Sequence, residues 1–503
     1  MSSDLLQELT APNGRKYTQP IGLFINNEWV KSSDGGKIAS INPTNEQTIT
    51  SVYSATSADV DRAVDAARAA LKNPAWRDMP GTERGKLMRK LADLVEEHRE
   101  TLATIETWDN GKPYSVALNE DMIESSETIR YYSGYADKIF GQVIDTTPAK
   151  FAYTVREPVG VCGQVIPWNY PLSMAAWKLG PALACGNTIV LKPAEQTPLS
   201  ILYFATLVVK AGFPPGVVNI VNGLGSVTGS AIASHPGIDK IAFTGSTATA
   251  RQIMKSAAVN LKNITLETGG KSPLIVFNDA NLDNAVEWAH IGIMSNQGQI
   301  CTATSRLLVQ SGIFDKFLSA FLAQVKTISK VGDPFDENTF QGPQVTKAQY
   351  DRIMSYVDIG KSEGAQLKMG GQPFKASGKG FFIEPTVFSD VSPKMRIFQE
   401  EVFGPFVTIT RFETEEEAIA LANDSEYGLG SAIFTTNLTR AHSVARQIEA
   451  GMVWINSSND SDPRIPFGGV KQSGIGRELG EAGLAAYSNI KAVHVNMTVT
   501  SKL

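Results

Sequence analysis

The sequence predicts an α/β protein built around a parallel sheet with helices on its faces, and two observations carry that expectation. From Val155 onward, short apolar runs alternate with helix-length segments: GVCGQVI (Gly160 to Ile166), TIVLK (Thr188 to Lys192), VVNIV (Val217 to Val221), KIAF (Lys240 to Phe243) and ITLE (Ile264 to Glu267). Strands returning at this spacing require crossover helices packed on a parallel sheet, the architecture in which nucleotides bind at the strand ends. The second observation is size. A chain of 503 residues, 42% of them hydrophobic, allows two or three domains and a large core.

Taken in order, GLFINNEWV and IASINPTNEQTITSVYS, between about residues 20 and 55, read as short strands and turns. Ser57 reads as an N-cap, followed by Val60, Ala63, Val64, Ala67 and Leu71 at helical spacing. Further helices are expected over Glu83 to His98, Arg99 to Asp109 and Ala117 to Ile139. Within the alternating series, MAAWKLGPALA and the stretch from Ser200 to Lys210 read as helices. The run Gly223 to Gly229 has one residue too many for a dinucleotide fingerprint and lies well inside the series, so it reads as a turn. FTGSTATA, Phe243 to Ala250, carries a strand through Gly245 and Ser246 into a helix. That is either a phosphate site made by backbone amides or a plain N-cap. In LKPAEQTP, Lys192 and Glu195 leave a strand end. A carboxylate there, accepting from ribose hydroxyls, favours NAD over a 2′-phosphorylated cofactor; the alternative is a surface ion pair. A later helix is expected from Phe314 to Lys330, and the segment from Leu484 alternates like a strand.

Composition excludes several function classes. The net charge is −5, with no basic block or Cys/His metal spacing, which speaks against nucleic acid. Apolar runs are broken by charge, Gly or Pro before reaching the length of a membrane span, and the first residues lack the apolar core of a signal peptide. Three cysteines, Cys162, Cys185 and Cys301, make no disulfide framework and suit a thiol-reducing compartment. The last residues, Ser501-Lys502-Leu503, are the tripeptide read by a peroxisomal import receptor, which makes that receptor an expected partner and the peroxisome the expected location. If the tail is not read, the cytoplasm is expected instead.

Cys301 is the candidate for chemistry. It lies in NQGQICTATS among small and polar residues, a loop or the start of a helix, where a thiol can be accessible and activated rather than a core filler. About thirty residues earlier, TLETGGKSP places Glu267 at the end of an apolar run, before two glycines that permit close approach to the backbone.

Seven segments in register, PWNYP, LKPAEQTP, FTGST, LETGGKSP, NQGQICTATSR, EEVFGPF and PFGGVKQSGIGRELG, spread over nearly the whole chain, resemble the aldehyde dehydrogenase superfamily. Through WNYPL, QGQICTATSRLLV, ANDSEYGL and the SKL ending, the chain is most similar to betaine and amino-aldehyde dehydrogenases. The resemblance implies that Cys301 attacks the aldehyde carbonyl, that the Asn169 amide and the Cys301 backbone N–H hold the oxyanion, and that Glu267 activates the hydrolytic water and is placed to take the thiol proton. Lys178 and Glu478 would relay that proton or serve as a satisfied structural ion pair. For NAD, it implies Lys192 and Glu195 at the adenine ribose, Trp168 and Ser246 near the pyrophosphate, and Glu401 with Phe403 at the nicotinamide ribose, with Ile166, Pro167 and Gly245 completing the set. Asp109 with the backbone of Ile41 and Gln196 resembles a monovalent-cation site.

Three departures stand out: Ala250 and Thr249 where the family's phosphate loop usually has glycine and a larger aliphatic residue, and Thr268 where leucine is usual, which is expected to put a hydroxyl near the nicotinamide amide. The implied pocket wall is Tyr170, Met174, Trp177, Ser295, Ile300, Thr302, Asp460 and Ser461. Tyr170 and Trp177 would offer aromatic faces to an ammonium group, and Asp460, with Asp121 and Glu124, negative charge at the mouth. This favours an amino or betaine aldehyde; the alternative is a neutral aliphatic, lipid-derived aldehyde, with the two aromatics simply packing the wall. An acyltransferase to coenzyme A would lack Glu267, and a silent binding protein on the same fold would have lost Cys301, Asn169 or Glu267.

The implied fold is a Rossmann-like parallel-sheet cofactor domain (residues 1–144 and 161–269), an α/β catalytic domain (270–469) and a small β oligomerisation element (145–160 and 484–503) ending in the targeting tail. An open strand edge in that element favours a homodimer or homotetramer.

Overall fold

A computed structural model describes residues 3–374 and 378–498; the SKL tripeptide lies outside them. Its first sheet runs Gly474–Ile475, Asn263–Glu267, Lys240–Thr244, Val161–Val165, Thr188–Lys192, Val218–Ile220, Leu23–Ile25, Glu28–Val30. The five strands from Asn263–Glu267 to Val218–Ile220 are parallel, and the outer ones pair antiparallel. Most of the residues in these five strands are buried, which is why they read as near-continuous apolar runs. Chain order runs outward in both directions from Val161–Val165, so its boundary with Lys240–Thr244 is the crevice where such sheets take ligands. Residues 166–168 and 245–246 leave the two strands on either side of it.

A second sheet runs Gln366–Met369, Thr386–Ser389, Phe406–Phe412, Arg306–Gln310, Pro273–Val276, Gly430–Phe434, Met452–Ile455, parallel except at its first pair. Alternate residues of one strand feed opposite cores, Leu274 and Val276 on one face, Ile275 on the other. The chain passes from the first sheet to the second between Glu267 and Pro273. A third, antiparallel sheet joins Ser488–Asn496, Lys150–Pro158 and Val143–Thr147.

Several local expectations shift. Thr56, not Ser57, is the N-cap of the helix Ser57–Lys72, because its hydroxyl and Asp59 form a reciprocal capping box. The expected helix over 117–139 opens with a π-helical turn, Ala117–Asp121, and its α-helical part ends at Ser133. Gly223 to Gly229 is more than a turn. Gly225–Gly229 winds into the helix Ser230–Ser234, and the Gly225 N–H donates to Glu195 Oε1 at 3.3 Å. Leu484 ends up in the helix Gly480–Ala486, and the terminal strand starts only at Ser488.

Arg306 pins the strand that follows the Cys301 loop. Its buried guanidinium donates to the carbonyls of Lys271 (2.8 Å), Leu421 (3.0 Å), Ala422 (2.8 Å) and Asp424 (3.3 Å). Arg306→Met would strand these acceptors in the interior and is expected to cost about 3–5 kcal/mol, read by urea denaturation. A loss near zero would show that water replaces the guanidinium.

Candidate active site

The helix Leu282–Met294 stops at Ser295, and the chain then turns through left-handed Asn296 (φ 48°), Gln297 (φ 56°) and Gly298 (φ 69°). A Cβ on Gly298 would lie 1.9 Å from the Gly404 carbonyl oxygen, so only glycine fits. This turn presents Ile300, Cys301 and Thr302 to a cavity of about 530 Å³.

Asn169 follows the strand Val161–Val165 and precedes the helix Pro171–Ala184. Its side-chain amide donates to the Gln299 carbonyl at 2.9 Å, while the Asn296 amide donates to the carbonyls of Asn169 and Gln299, both at 3.2 Å. Asn169 is thereby locked against the Cys301 loop, with one of its two N–H donors left over. Glu267 ends its strand in the same cavity; it is buried, and neither carboxylate oxygen has a protein hydrogen-bond partner. Burial and the Glu478 carboxylate raise its pKa well above the usual range. A Cβ on Gly468 would stand 2.6 Å from Glu267 Oε1, so this backbone approaches the acid closely. Lys178 Nζ donates to Glu478 Oε1 and to Thr244 Oγ1, each at 2.6 Å, and Glu478 Oε2 has no protein partner. Burial first, then the Glu267 and Glu401 carboxylates, push the Cys301 thiol up to about 12.

The expected cofactor residues fall into two groups. Pro167, Trp168, Gly245, Ser246, Glu401 and Phe403 line the Cys301 cavity. Glu401 Oε1 accepts from the Gly270 N–H at 3.0 Å, burial raises its pKa to about 7, and Trp168 meets Phe403 edge-on at 5.3 Å. Ile166, Lys192 and Glu195 are not on that lining; Lys192 Nζ donates to Glu195 Oε2 at 3.0 Å, and the Gly225 amide holds the other oxygen. Ser246 is an N-cap, its Oγ accepting from the Thr249 N–H at 3.3 Å, while an acceptor at this helix start would still meet free amides. The open cavity beside the crevice and the helix start at Ser246 suit a dinucleotide.

The expected pocket wall needs correction at two positions. Tyr170, Met174, Trp177, Ile300, Thr302 and Ser461 line the cavity; Ser295 and Asp460 do not. Ser295 lies before the left-handed turn, on the far side of the reversal that turns Ile300 inward. Asp460 is exposed, and its carbonyl takes the Trp454 indole N–H at 2.7 Å. Thr268 also lines the cavity, and its hydroxyl donates to the Gln472 carbonyl at 2.6 Å, which leaves the hydroxyl oxygen as an acceptor. Asp109 is buried, one oxygen accepting from the Leu199 N–H at 3.2 Å and the other without a protein partner. That spare oxygen suits a cation.

Residues that sequence reasoning missed include Lys112, whose Nζ lies 4.1 Å over the Tyr170 ring, together with Gln349, Arg352, Asn459 and Phe467 on the cavity wall. Phe467 lies inside the matched segment PFGGVKQSGIGRELG but was given no role there, and the others sit in no motif. Only the glycine and proline flanking Lys112 hinted at a fixed backbone there.

A thiol, an unpartnered buried carboxyl and an amide donor around one cavity, at the crevice of a nucleotide-type sheet, define a thiol-dependent enzyme that works beside a dinucleotide. The sequence model of the aldehyde dehydrogenase family matches residues 29–493, and the chain belongs to that family. It is 54% identical over 496 residues to an aldehyde dehydrogenase of Emericella nidulans, covering 98% of this chain and 99% of the relative. The solved NAD+ complex of aldehyde dehydrogenase from Bacillus cereus superposes with a TM-score of 0.93 at 48% identity, covering 95% of this chain and 97% of that one. Betaine aldehyde dehydrogenase from Staphylococcus aureus, solved with NAD+, gives a TM-score of 0.94 at 43% identity, covering 96% of each chain.

With its thiol at about 12, Cys301 in the free protein is expected to react with iodoacetamide about tenfold faster for each pH unit between about 7 and 9, since only the thiolate attacks. Glu267→Gln removes a carboxyl that opposes the thiolate, so the reaction should speed up. Mass mapping separates Cys301 from buried Cys162 and Cys185. A rate already level at pH 8 would contradict the raised pKa.

Proposed function

We propose that the protein is an NAD-dependent aldehyde dehydrogenase acting through Cys301 and Glu267. The observation that carries this is the shared cavity, in which the Cys301 thiol, the Glu267 carboxyl and the locked Asn169 amide meet beside the crevice. The Cys301 sulfur adds to the aldehyde carbon, and its proton goes to Glu267 or, through the Glu478–Lys178 pair, away from the site. The new oxyanion is held by the remaining Asn169 N–H and the Cys301 backbone N–H, donors aimed where charge develops. NAD, when bound, would supply the hydride acceptor, and Lys192, Glu195, Ser246, Glu401 and Phe403 are the residues that would hold it. After hydride leaves, the carbon is a thioester on Cys301. Glu267 then takes a proton from water as the water attacks that carbon, the C–S bond breaks, and the acid departs with the thiol restored.

A tail bearing polarity or positive charge, as in an amino or betaine aldehyde, is the substrate reading we favour. It is supported by Glu120, Asp121, Glu124 and Glu127 on the cavity wall, against one lining cation among the described residues, Arg352. A cation beside Asp109 belongs to the same proposal, as does a homodimer or homotetramer, for which exposed Val143, Ile144, Phe151, Ile490 and Val495 on the third sheet speak.

Steady-state NADH formation tests the reaction with betaine aldehyde, 3-aminopropionaldehyde, 4-aminobutyraldehyde, acetaldehyde and hexanal. Cys301→Ala should abolish turnover. Glu267, with its raised pKa, ionises only as pH climbs, so kcat should rise with pH, and Glu267→Gln should remove that limb while acyl-enzyme accumulates. A tenfold preference for the charged tails, about 1.4 kcal/mol, supports the substrate reading; preference for hexanal would replace it with a general aliphatic enzyme, and no NADH from any aldehyde would leave a binding protein.

Import into peroxisomes through Ser501-Lys502-Leu503 is a further part of the proposal. A fluorescent protein fused to the N-terminus should appear in punctate organelles and become diffuse when the tripeptide is removed. Diffuse fluorescence with the tail intact would place the enzyme elsewhere.

A further inference from the structure

Resting on the reaction proposed above, we infer that Glu124 selects the substrate by its tail, taking one with N–H donors, a primary ammonium, ahead of a trimethylammonium or a plain alkyl chain. Glu124 lies on the helix Met122–Ser133 and lines the same cavity as Cys301. Its Oε1 accepts the Trp177 indole N–H at 3.1 Å, which holds the carboxyl against the helix Pro171–Ala184 on the other side of the wall.

The neighbouring charges are already committed. Lys112 Nζ is ion-paired with Asp121, lies 3.8 Å from Glu106 and sits 4.1 Å over the Tyr170 ring. A single cation therefore answers two buried carboxyls and one aromatic face. Among the described residues no Lys, Arg or His stands within ion-pair distance of Glu124. The two aromatics expected to receive an ammonium have partners of their own, Tyr170 with Lys112 over its ring and Trp177 in a T-shaped contact with Phe467, centroids 4.8 Å apart. A trimethylammonium has no N–H to give a carboxylate, whereas a primary ammonium has three.

Protonation adds a second signature. Burial first, then Asp121, raises Glu124 to about 7, with Ser173, Trp177 and Lys112 pulling the other way. The groups facing it are Asp121 and Glu120 from the preceding turn, Lys112 and, behind it, Glu106 from the neighbouring segment, and Ser173 and Trp177 from the opposing helix. Between about pH 6 and 8 Glu124 passes from mostly protonated to mostly ionised, while an alkylammonium keeps its charge. A cationic tail is then drawn in as pH rises, and an uncharged tail gains nothing from the change.

The test is the kcat/KM ratio of 3-aminopropionaldehyde to hexanal, with betaine aldehyde as a third substrate, measured with the full chain and NAD across that pH range. In the native protein the ratio should climb several-fold from pH 6 to 8, and titration of Cys301 and Glu267 cancels because both substrates use them. Glu124→Gln should lower the ratio at pH 8 by about tenfold, mainly through the KM of the amino substrate, flatten its pH dependence and lower betaine aldehyde, which keeps the charge attraction but has no N–H to give, by less. Glu124→Asp should restore part of it. A flat ratio in the native protein, which needs no variant to fold, overturns the inference, as does equal loss for the amino substrate and hexanal in Glu124→Gln. If hexanal turns over normally in either case, the dehydrogenase reading survives. Absence of NADH with every aldehyde would end both.

Discussion

The short crossing between the two sheets is the constraint on which the site depends. Glu267 closes a strand of the first sheet, Pro273 opens a strand of the second, and the five residues Thr268 to Ser272 span the gap. That strap is packed on both sides. A Cβ on Gly269 would fall 2.2 Å from Glu401 Oε2, and one on Gly270 would fall 2.6 Å from the Cys301 carbonyl oxygen. The same glycines that let the chain cross therefore set the spacing of the base, the thiol loop and the Glu401 carboxyl. Ser473 secures the strap from the far side, its carbonyl accepting from Thr268 N–H at 3.1 Å and its hydroxyl donating to the Gly269 carbonyl at 2.8 Å. Each domain supplies half of the chemistry, so the interface between them must be rigid for the halves to meet.

How much of this was legible follows from the kind of residue involved. Cys301, Glu267 and Asn169 could be found because their types are out of place in polar or apolar runs and their segments stand in register. The parallel strands were visible for a similar reason, since burial on both faces leaves continuous apolar runs. What stayed hidden was set by geometry between distant segments. The reversal at Asn296 to Gly298 decides that Ile300 faces the cavity and Ser295 does not, and left-handed backbone at two non-glycine residues has no sequence signature. Gly225 looked like part of a plain turn because its partner, Glu195, lies thirty residues away. The acceptor of the Thr268 hydroxyl was hidden because Gln472 lies about two hundred residues on.

The cavity also carries more acid than it can keep ionised. Glu120, Asp121, Glu124, Glu127, Glu267, Glu401 and Glu478 line it, and Arg352 is the one lining cation among the described residues. Desolvation raises Glu120, Asp121, Glu124, Glu267 and Glu401 together, and the carboxyls raise one another where they are close. In the free protein the affordable state is therefore one in which several of these groups hold a proton. Protonating the carboxyls beside Cys301 lowers the opposition to its thiolate, since each ionised carboxylate there makes the thiolate harder to form, while burial, the larger cause, keeps the thiol raised in either case.

The consequence is that charge arriving from outside decides which groups ionise. Near the thiol, Glu267 with both oxygens unpartnered has no donor to stabilise its anion, so it accepts a proton readily and binds one tightly, which is what a base for water requires. On the wall formed by residues 119–127, Lys112 is shared between Asp121 and Glu106, so Glu124 is the carboxyl whose ionisation a ligand can most change. Lys178 divides its donors between Glu478 and Thr244, leaving Glu478 one oxygen without a protein partner. Lys112 and Lys178 thus stand one step behind the cavity wall, while the acids they answer, Asp121 and Glu478, are on it. A positively charged ligand then meets carboxyls that gain stability by ionising, while an uncharged one meets carboxylic acids that need not change.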